Sequence, residues 1–254
     1  MNSPEAMLED FFKKHPEMRM KYACHVGLGL AGPVGNHRMT WTYGRNPKCL
    51  LASLCDQHGS DKGSLVSQNH PYPWAAHTYT DYYARLWSQC RQHVRRVFEC
   101  GLGTNNPNMK SNMGVRGRPG ASLRVWRDYF PEAQVVGADI DKGILFQEDR
   151  IRTYYVDQLD PVSIGEMWRA AGPGEFDFMI DDGLHEFRAG ISLFEHSIGH
   201  LSAQGVYVIE DVTQPDLKRY FDYFSNKKYI VDYISLHRPT TRLGDNSIVS
   251  IRRA

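Results

Sequence analysis

The period of the hydrophobic pattern changes along this chain. From Val94 onward, short runs rich in Val, Ile, Phe and Tyr alternate with stretches in which apolar residues return every three or four positions. The short runs predict strands at 94–100 (VRRVFEC), 133–140 (AQVVGADI), 152–157 (RTYYVD), 176–182 (FDFMIDD) and 206–212 (VYVIEDV). The stretches between them predict helices at 121–130, 162–171 and 187–201; in the last, Ile191, Phe194, Ile198 and Leu201 form one stripe, which is core. A further helix is expected over 215–228, and YIVDYISLH with DNSIVSIRR as a closing antiparallel pair. Strand and helix alternating in this way predict an α/β fold, a Rossmann-like, doubly wound, mostly parallel sheet with an antiparallel edge.

Residues 1–93 break the alternation. They hold an amphipathic helical pattern at Met7–Lys14 and a glycine-rich stretch, HVGLGLAGPVGNHR (25–38), with no strand before it and no helix pattern after it, which reads as a mobile lid or an oligomer arm. The expected organisation is a helical N-terminal extension and lid over 1–93 and a single catalytic domain over 94–254.

Charge narrows the classes of partner. Lys and Arg number 30 against 29 Asp and Glu, a net charge of +1, and the basic runs Arg95-Arg96, Lys227-Lys228 and Arg252-Arg253 are short. That balance supplies no field for duplex nucleic acid. The 5 cysteines form no C-x-x-C pair, and the N-terminus is charged where a secretory segment would be apolar. No run approaches the roughly 18 apolar residues that a membrane span requires. The chain is expected to be reduced, cytoplasmic and without a membrane or nucleic-acid partner.

The ends of the predicted strands carry the chemistry. FECGLGTNN places Glu99, Gly101, Gly103 and Thr104 after the first strand, where missing Cβ atoms let backbone approach a cofactor. Asp139 stands where a carboxylate can accept from both hydroxyls of a ribose, and Asp157 with Gln158 can meet an adenine edge. Ser122 resembles an N-cap whose helix start could hold a carboxylate. Asp181 is placed with these cofactor contacts, a cap or surface charge being its plain alternative. The third glycine of a dinucleotide fingerprint is Asn106 here, so an adenosyl cofactor without a pyrophosphate, S-adenosylmethionine, suits the site better than NAD.

If 176–182 and 206–212 are neighbouring parallel strands about 5 Å apart, Asp182, Glu210 and Asp211 converge. Carboxylates crowded in this way repel one another unless a cation or protons intervene, and a hard divalent ion such as Mg²⁺ is the economical explanation. His185, three residues beyond Asp182, is placed as a general base. Metal, base and methyl donor on one sheet edge point to methyl transfer to an alcohol oxygen. The alternatives are an NAD(P)-dependent oxidoreductase and a non-catalytic adenosyl-binding module.

GSDKGS (59–64), HTYTDYY (77–83), ECGLGT (99–104), GASLRVWRDYF (120–130), GADID (137–141), DDGLH (181–185) and GVYVIED (205–211) resemble the motifs of class I S-adenosylmethionine-dependent methyltransferases, in particular the metal-dependent sugar O-methyltransferases of antibiotic biosynthesis. The resemblance covers roughly residues 51–254. It implies a metal on Asp182, Glu210 and Asp211, a base at His185, and approach of Ser60, Lys62 and Tyr79 to the cofactor. It also implies a small sugar-containing acceptor, and the chain is expected to act as a homo-oligomer. The chain departs from the macrolide members in the long Asn-rich loop after Gly103 and in an N-terminal region too short for a full auxiliary domain.

Overall fold

In the computed structural model, residues 35–42, 49–64, 72, 74–237 and 243–254 are described. The helix expected at Met7–Lys14 and the first part of the glycine-rich stretch lie outside them. The chain forms strands β1 (Gly35–Thr42), β2 (Arg96–Cys100), β3 (Gln134–Asp139), β4 (Gln147–Glu148), β5 (Ile151–Tyr155), β6 (Phe176–Asp181), β7 (Leu201–Ile209), β8 (Tyr229–His237) and β9 (Ser247–Arg253). Its main helices are α1 (Leu50–His58), α2 (Tyr79–Trp87), α3 (Ala121–Tyr129), α4 (Pro161–Ala171), α5 (Phe187–Ser197) and α6 (Gln214–Phe224).

The strands make one nine-stranded sheet in the order β1-β8-β9-β7-β6-β2-β3-β5-β4. The pairs β2–β3, β2–β6, β3–β5 and β6–β7 are parallel, whereas β9 runs antiparallel to both β7 and β8. This is the α/β fold expected from the alternation, with its antiparallel edge. From β2 the chain first builds outward through β3 and β5, then returns to build β6 and β7 on the other side. That reversal opens a crevice at the carboxyl ends of β2 and β6, where ligands bind in sheets of this kind.

The sheet corrects one part of the sequence reading. Residues 35–38, the end of the glycine-rich stretch, are not part of a detached arm but begin β1, which pairs in parallel with β8. Its hydrophobic signal is short, and its partner lies some two hundred residues further along the chain. A local pattern carries no information about a pairing so distant.

Period-2 alternation divides each central strand between two cores. Val97, Phe178, Ile180, Val206 and Val208 face α1, α2 and α3, packing with Leu51, Tyr83 and Trp126. Phe98, Met179, Tyr207 and Ile209 face the other way, packing with Trp168, Phe194 and Phe224 of α4, α5 and α6. Burying each such side chain stabilises by about 1.5–3 kcal/mol. Leu51, Tyr79, Tyr82 and Tyr83, all from the region before Val94, are fully or almost fully buried. Helices α1 and α2 therefore share the core of the sheet.

Local chemistry starts the helices. Asp160 caps α4 by accepting from the Val162 amide, with Pro161 in the first turn, and Thr213 caps α6 by accepting from the Asp216 amide. At α3 the expected cap is corrected. Gly120, at φ +72°, is the N-cap residue, and Ser122 lies inside the first turn. A Cβ at Gly120 would come within 2.4 Å of the Phe146 ring, so the sharp entry into α3 needs glycine.

Candidate active site

The crevice at the strand ends has a cavity volume of about 400 Å³, enough for a nucleoside-sized ligand. One side is formed by Gly101, Leu102, Gly103, Asp139, Asp157 and Gln158, the other by Lys62, His77, Tyr79, Asp182, His185, Glu210 and Asp211. Ser60, Thr104 and Ser122 also line it. The Asn-rich loop after Gly103 folds back as a wall: Asn105 donates to the carbonyls of Gly114 and Gly117, Ser111 donates to the Leu184 carbonyl, and Met113 lines the cavity.

Backbone amides hold the first side. Asp139 accepts from the Leu102 amide at 2.7 Å and from the Asp141 amide at 2.8 Å, while burial pushes its carboxyl up from the usual range. Thr104 donates to Asp141 at 2.5 Å. Asp157 accepts from the Leu159 amide, and the side-chain carbonyl of Gln158 accepts from the Leu184 amide. The side-chain amide of Gln158 donates to Asp181 at 2.6 Å. Asp181 faces away from the crevice, beside α5 and α6, where burial pushes it up to about 6; Gln158 and the Gly183 amide connect it to the site.

The glycines also have a physical reason within the fold itself. A Cβ on Gly101, at φ +96°, would lie 1.9 Å from the Asp182 carbonyl oxygen, and one on Gly103, at φ +79°, would lie 1.8 Å from the Met113 sulfur. Gly101 thus lets the turn after β2 touch the turn after β6, which joins the two sides of the crevice.

The second side is a knot of charge. Asp182 is reached by Lys62 at 2.5 Å and by His185 at 3.2 Å; Asp211 accepts from the Tyr79 hydroxyl at 2.5 Å and lies 3.4 Å from His185. One ligand atom from each of Asp182, His185 and Asp211 lies within 4.8 Å of the others, a spacing that a single hard cation can span. Glu210 is turned instead to Lys62 and to the Tyr83 hydroxyl, both of which donate to it. Lys62 and the imidazole of His185 are thus the positive groups that let these carboxylates approach in the structure. Glu99 is fully buried behind the crevice, accepts from the Trp126 indole at 2.6 Å and faces Lys62 at 3.3 Å. Burial pushes it up to about 7, against the pull of Lys62.

The protonation states follow from this crowding. Burial opposes charge on Asp182, but Lys62 and His185 outweigh it and hold the carboxyl well below its usual range, whereas burial pushes Glu210 well above its own. Burial alone would lower the imidazole of His185; Asp211 and Asp182 reverse that and raise it to about 10. His185 and Asp211 also hold left-handed backbone conformations, at φ +58° and +53°, which non-glycine residues adopt at a cost of about 1–3 kcal/mol.

Three further residues join the site that no single stretch of sequence indicated. His77 is stacked on Tyr79 and lies 3.6 Å from Asp61, 3.7 Å from Asp211 and 3.9 Å from Asp245. Burial would lower His77, but Asp211, Asp61 and Asp245 push it up to about 9. Asp61 and His77 were visible only as members of GSDKGS and HTYTDYY; Asp245, between β8 and β9, carried no signal. The helix α2 uses Tyr82 for packing but turns Tyr79 and Tyr83 to the acids.

No family model matches the sequence. Over 162 residues the chain is 33% identical to 8-demethyl-8-alpha-L-rhamnosyl tetracenomycin-C 2'-O-methyltransferase of Streptomyces olivaceus, covering 64% of this chain and 37% of that one. Over 160 residues it is 32% identical to demethylmacrocin O-methyltransferase of Streptomyces fradiae, covering 62% and 38%. The chain thus spans well under half the length of these curated relatives. Among solved structures, the MycE methyltransferase from the mycinamycin biosynthetic pathway, in complex with Mg and SAH, matches with a TM-score of 0.55 at 25% identity, over 80% of this chain and 54% of that one. The sequence homologues of this chain are sugar O-methyltransferases of macrolide and tetracenomycin pathways, as its motifs suggested.

Proposed function

We propose that this chain is an S-adenosylmethionine-dependent, divalent-metal-dependent O-methyltransferase acting on a sugar hydroxyl of a natural product. One observation carries the reading: an adenosyl-sized crevice and the Asp182, His185 and Asp211 cluster open onto the same cavity, joined by the close contact of Gly101 with Asp182.

Asp139 offers its carboxylate to the ribose, and Gln158, fixed by Asp181 and Leu184, offers polar atoms to the adenine edge. Ser60, Ser122 and Thr104 line the cofactor side. The residues present fit a hard cation: oxygen donors of Asp182 and Asp211 converge, with Glu210 beside them. Bound there, a divalent ion would supply Lewis-acid activation and a two-point hold for a vicinal diol.

His185 accepts the acceptor's hydroxyl proton as the oxygen takes the methyl group and the sulfonium becomes a thioether. In the state described, Asp182 and Asp211 keep the imidazole protonated. It becomes a base once the negative charge of those two carboxylates is answered from elsewhere, since they are what raised it. An oxidoreductase would leave this carboxylate cluster without a task. Assembly as a homo-oligomer belongs to the same reading and is open to a sedimentation measurement.

The test is transfer of labelled methyl from S-adenosylmethionine to rhamnosyl and macrolide-sugar acceptors. EDTA is expected to abolish transfer and Mg²⁺ to restore it, with S-adenosylhomocysteine binding retained throughout. Full turnover in EDTA would sink the metal part of the reading, and binding of NAD in preference to S-adenosylhomocysteine would sink the methyl-donor part.

A further inference from the structure

Lys62 is only 3% exposed, yet its ammonium touches Glu99, Asp182 and Glu210. A buried ammonium among carboxylates differs from a surface ion pair, because removing it leaves uncompensated charge in a poorly screened place. The Asp182 carboxylate that it grips belongs to the candidate metal set with His185 and Asp211, and Glu210 lines the crevice beside them. An ammonium and a divalent cation compete for the same carboxylates, since each repels the other at these distances. A second observation shows where the ammonium can turn. The Oε1 atom of Glu99 is fully buried and takes no well-formed hydrogen bond, with the Ser122 side chain near this carboxyl and Lys62 Nζ 3.3 Å away. The other oxygen of Glu99 is already held by Trp126. A buried acceptor without a donor is costly, and Lys62 is within reach of satisfying it.

We propose that Lys62 is a resident counter-cation of the carboxylate cluster: it holds Asp182 and Glu210 together while no divalent ion is bound, competes with the ion for them, and transfers its grip to Glu99 when the ion takes its place. This rests on the metal reading given above. It makes Lys62 a positioning residue for the metal side of the crevice. The approach of Lys62 to the cofactor implied by the motif resemblance is a different role, and the two are separable by experiment.

The experiment uses Lys62→Met and Lys62→Gln in the full chain, each melted in EDTA and in Mg²⁺, with Mn²⁺ affinity measured by titration and S-adenosylhomocysteine affinity measured separately. Both variants are expected to lose roughly 5 °C or more of melting temperature in EDTA but to stay within about 2 °C of wild type in Mg²⁺. Both should bind Mn²⁺ about tenfold more tightly than wild type, because a competing charge is gone. A variant that folds only when metal is present is the extreme form of the same result. An equal loss of melting temperature with and without metal, unaltered Mn²⁺ affinity, or failure to fold in both conditions would overturn the proposal and leave Lys62 a fixed structural ion pair. A defect confined to S-adenosylhomocysteine affinity would overturn it in favour of cofactor contact. Absence of Mn²⁺ binding by the wild type would instead remove the metal reading itself, a failure seen before any variant is made.

Discussion

At the ends of β3 and β5 the acids of the crevice are answered by backbone amides, whereas at the ends of β6 and β7 they are answered by side chains. Asp139 takes the amides of Leu102 and Asp141; Asp182, Glu210 and Asp211 take Lys62, His185, Tyr83 and Tyr79. Backbone donors are fixed by the fold and cannot leave. Ammonium, imidazole and phenol can exchange their partners without unfolding anything. The first arrangement suits a half-site that meets the same ligand group in every turnover, and the second suits one whose charge must be redistributed when an ion and an acceptor enter. Gly101 links the two, because only a residue without Cβ lets the turn after β2 rest on Asp182.

Mutation at the side-chain-answered half should break the contrast most strongly. His185→Ala is expected to lower kcat by roughly 10²–10⁴, the range for loss of a general base, with S-adenosylhomocysteine affinity nearly unchanged. Asp182→Ala should damage kcat and the acceptor KM together, since it disturbs positioning as well as activation. Steady-state kinetics on the two variants distinguishes them; a fall of less than tenfold for His185→Ala would return the histidine to a purely structural role. At the amide-answered half the effect should be smaller and of another kind. Asp139→Ala should weaken S-adenosylhomocysteine by about tenfold or more, read by calorimetry, while kcat at saturating cofactor changes little. Unaltered affinity would take Asp139 out of the ribose role.

The smallest effect concerns pH and the metal-free protein. His77 is raised to about 9 and His185 to about 10, in each case because surrounding carboxylates outweigh burial. Both values stand above the roughly 6.5 of an unfolded histidine. The folded state therefore binds these protons more tightly, so the stabilisation is fully present below about pH 6.5 and is lost as pH rises through 9 to 10. Melting temperature in EDTA should fall across that window. His77→Gln should lower it at pH 6.5 and flatten the slope, and a variant that melts with the wild-type slope would exclude His77 from the effect.

Much of the site was legible because strand ends are local features. The run FDFMIDD followed by GLH announces a strand, its end and two chemically distinct groups, and VYVIEDV does the same. Their convergence required only that the two strands be parallel neighbours, which the intervening helix made the default. Ser122 was misplaced by two positions at the helix start because the left-handed conformation of Gly120, not a side chain, begins α3. Tyr83 and His77 were seen within an aromatic motif, but which of its rings would pack and which would bond depended on the angle at which α2 lies against the sheet.

The sequence by itself determined the alternating fold, the placement of Asp139, Asp182, His185, Glu210 and Asp211 at or just beyond strand ends, and the mismatch with a dinucleotide fingerprint at Asn106. These follow from periodicity and from residue type at the end of a period, information contained within a dozen residues. Only the tertiary structure decided that β1 joins the sheet beside β8, that Asp181 turns away from the crevice while its neighbour Asp182 enters it, and that Lys62 lies buried among the acids. Each of those facts joins segments separated by tens to hundreds of residues or depends on which face of a strand meets a helix. Coulomb energy and burial depend on distance in space, and distance in space is what a linear pattern does not contain.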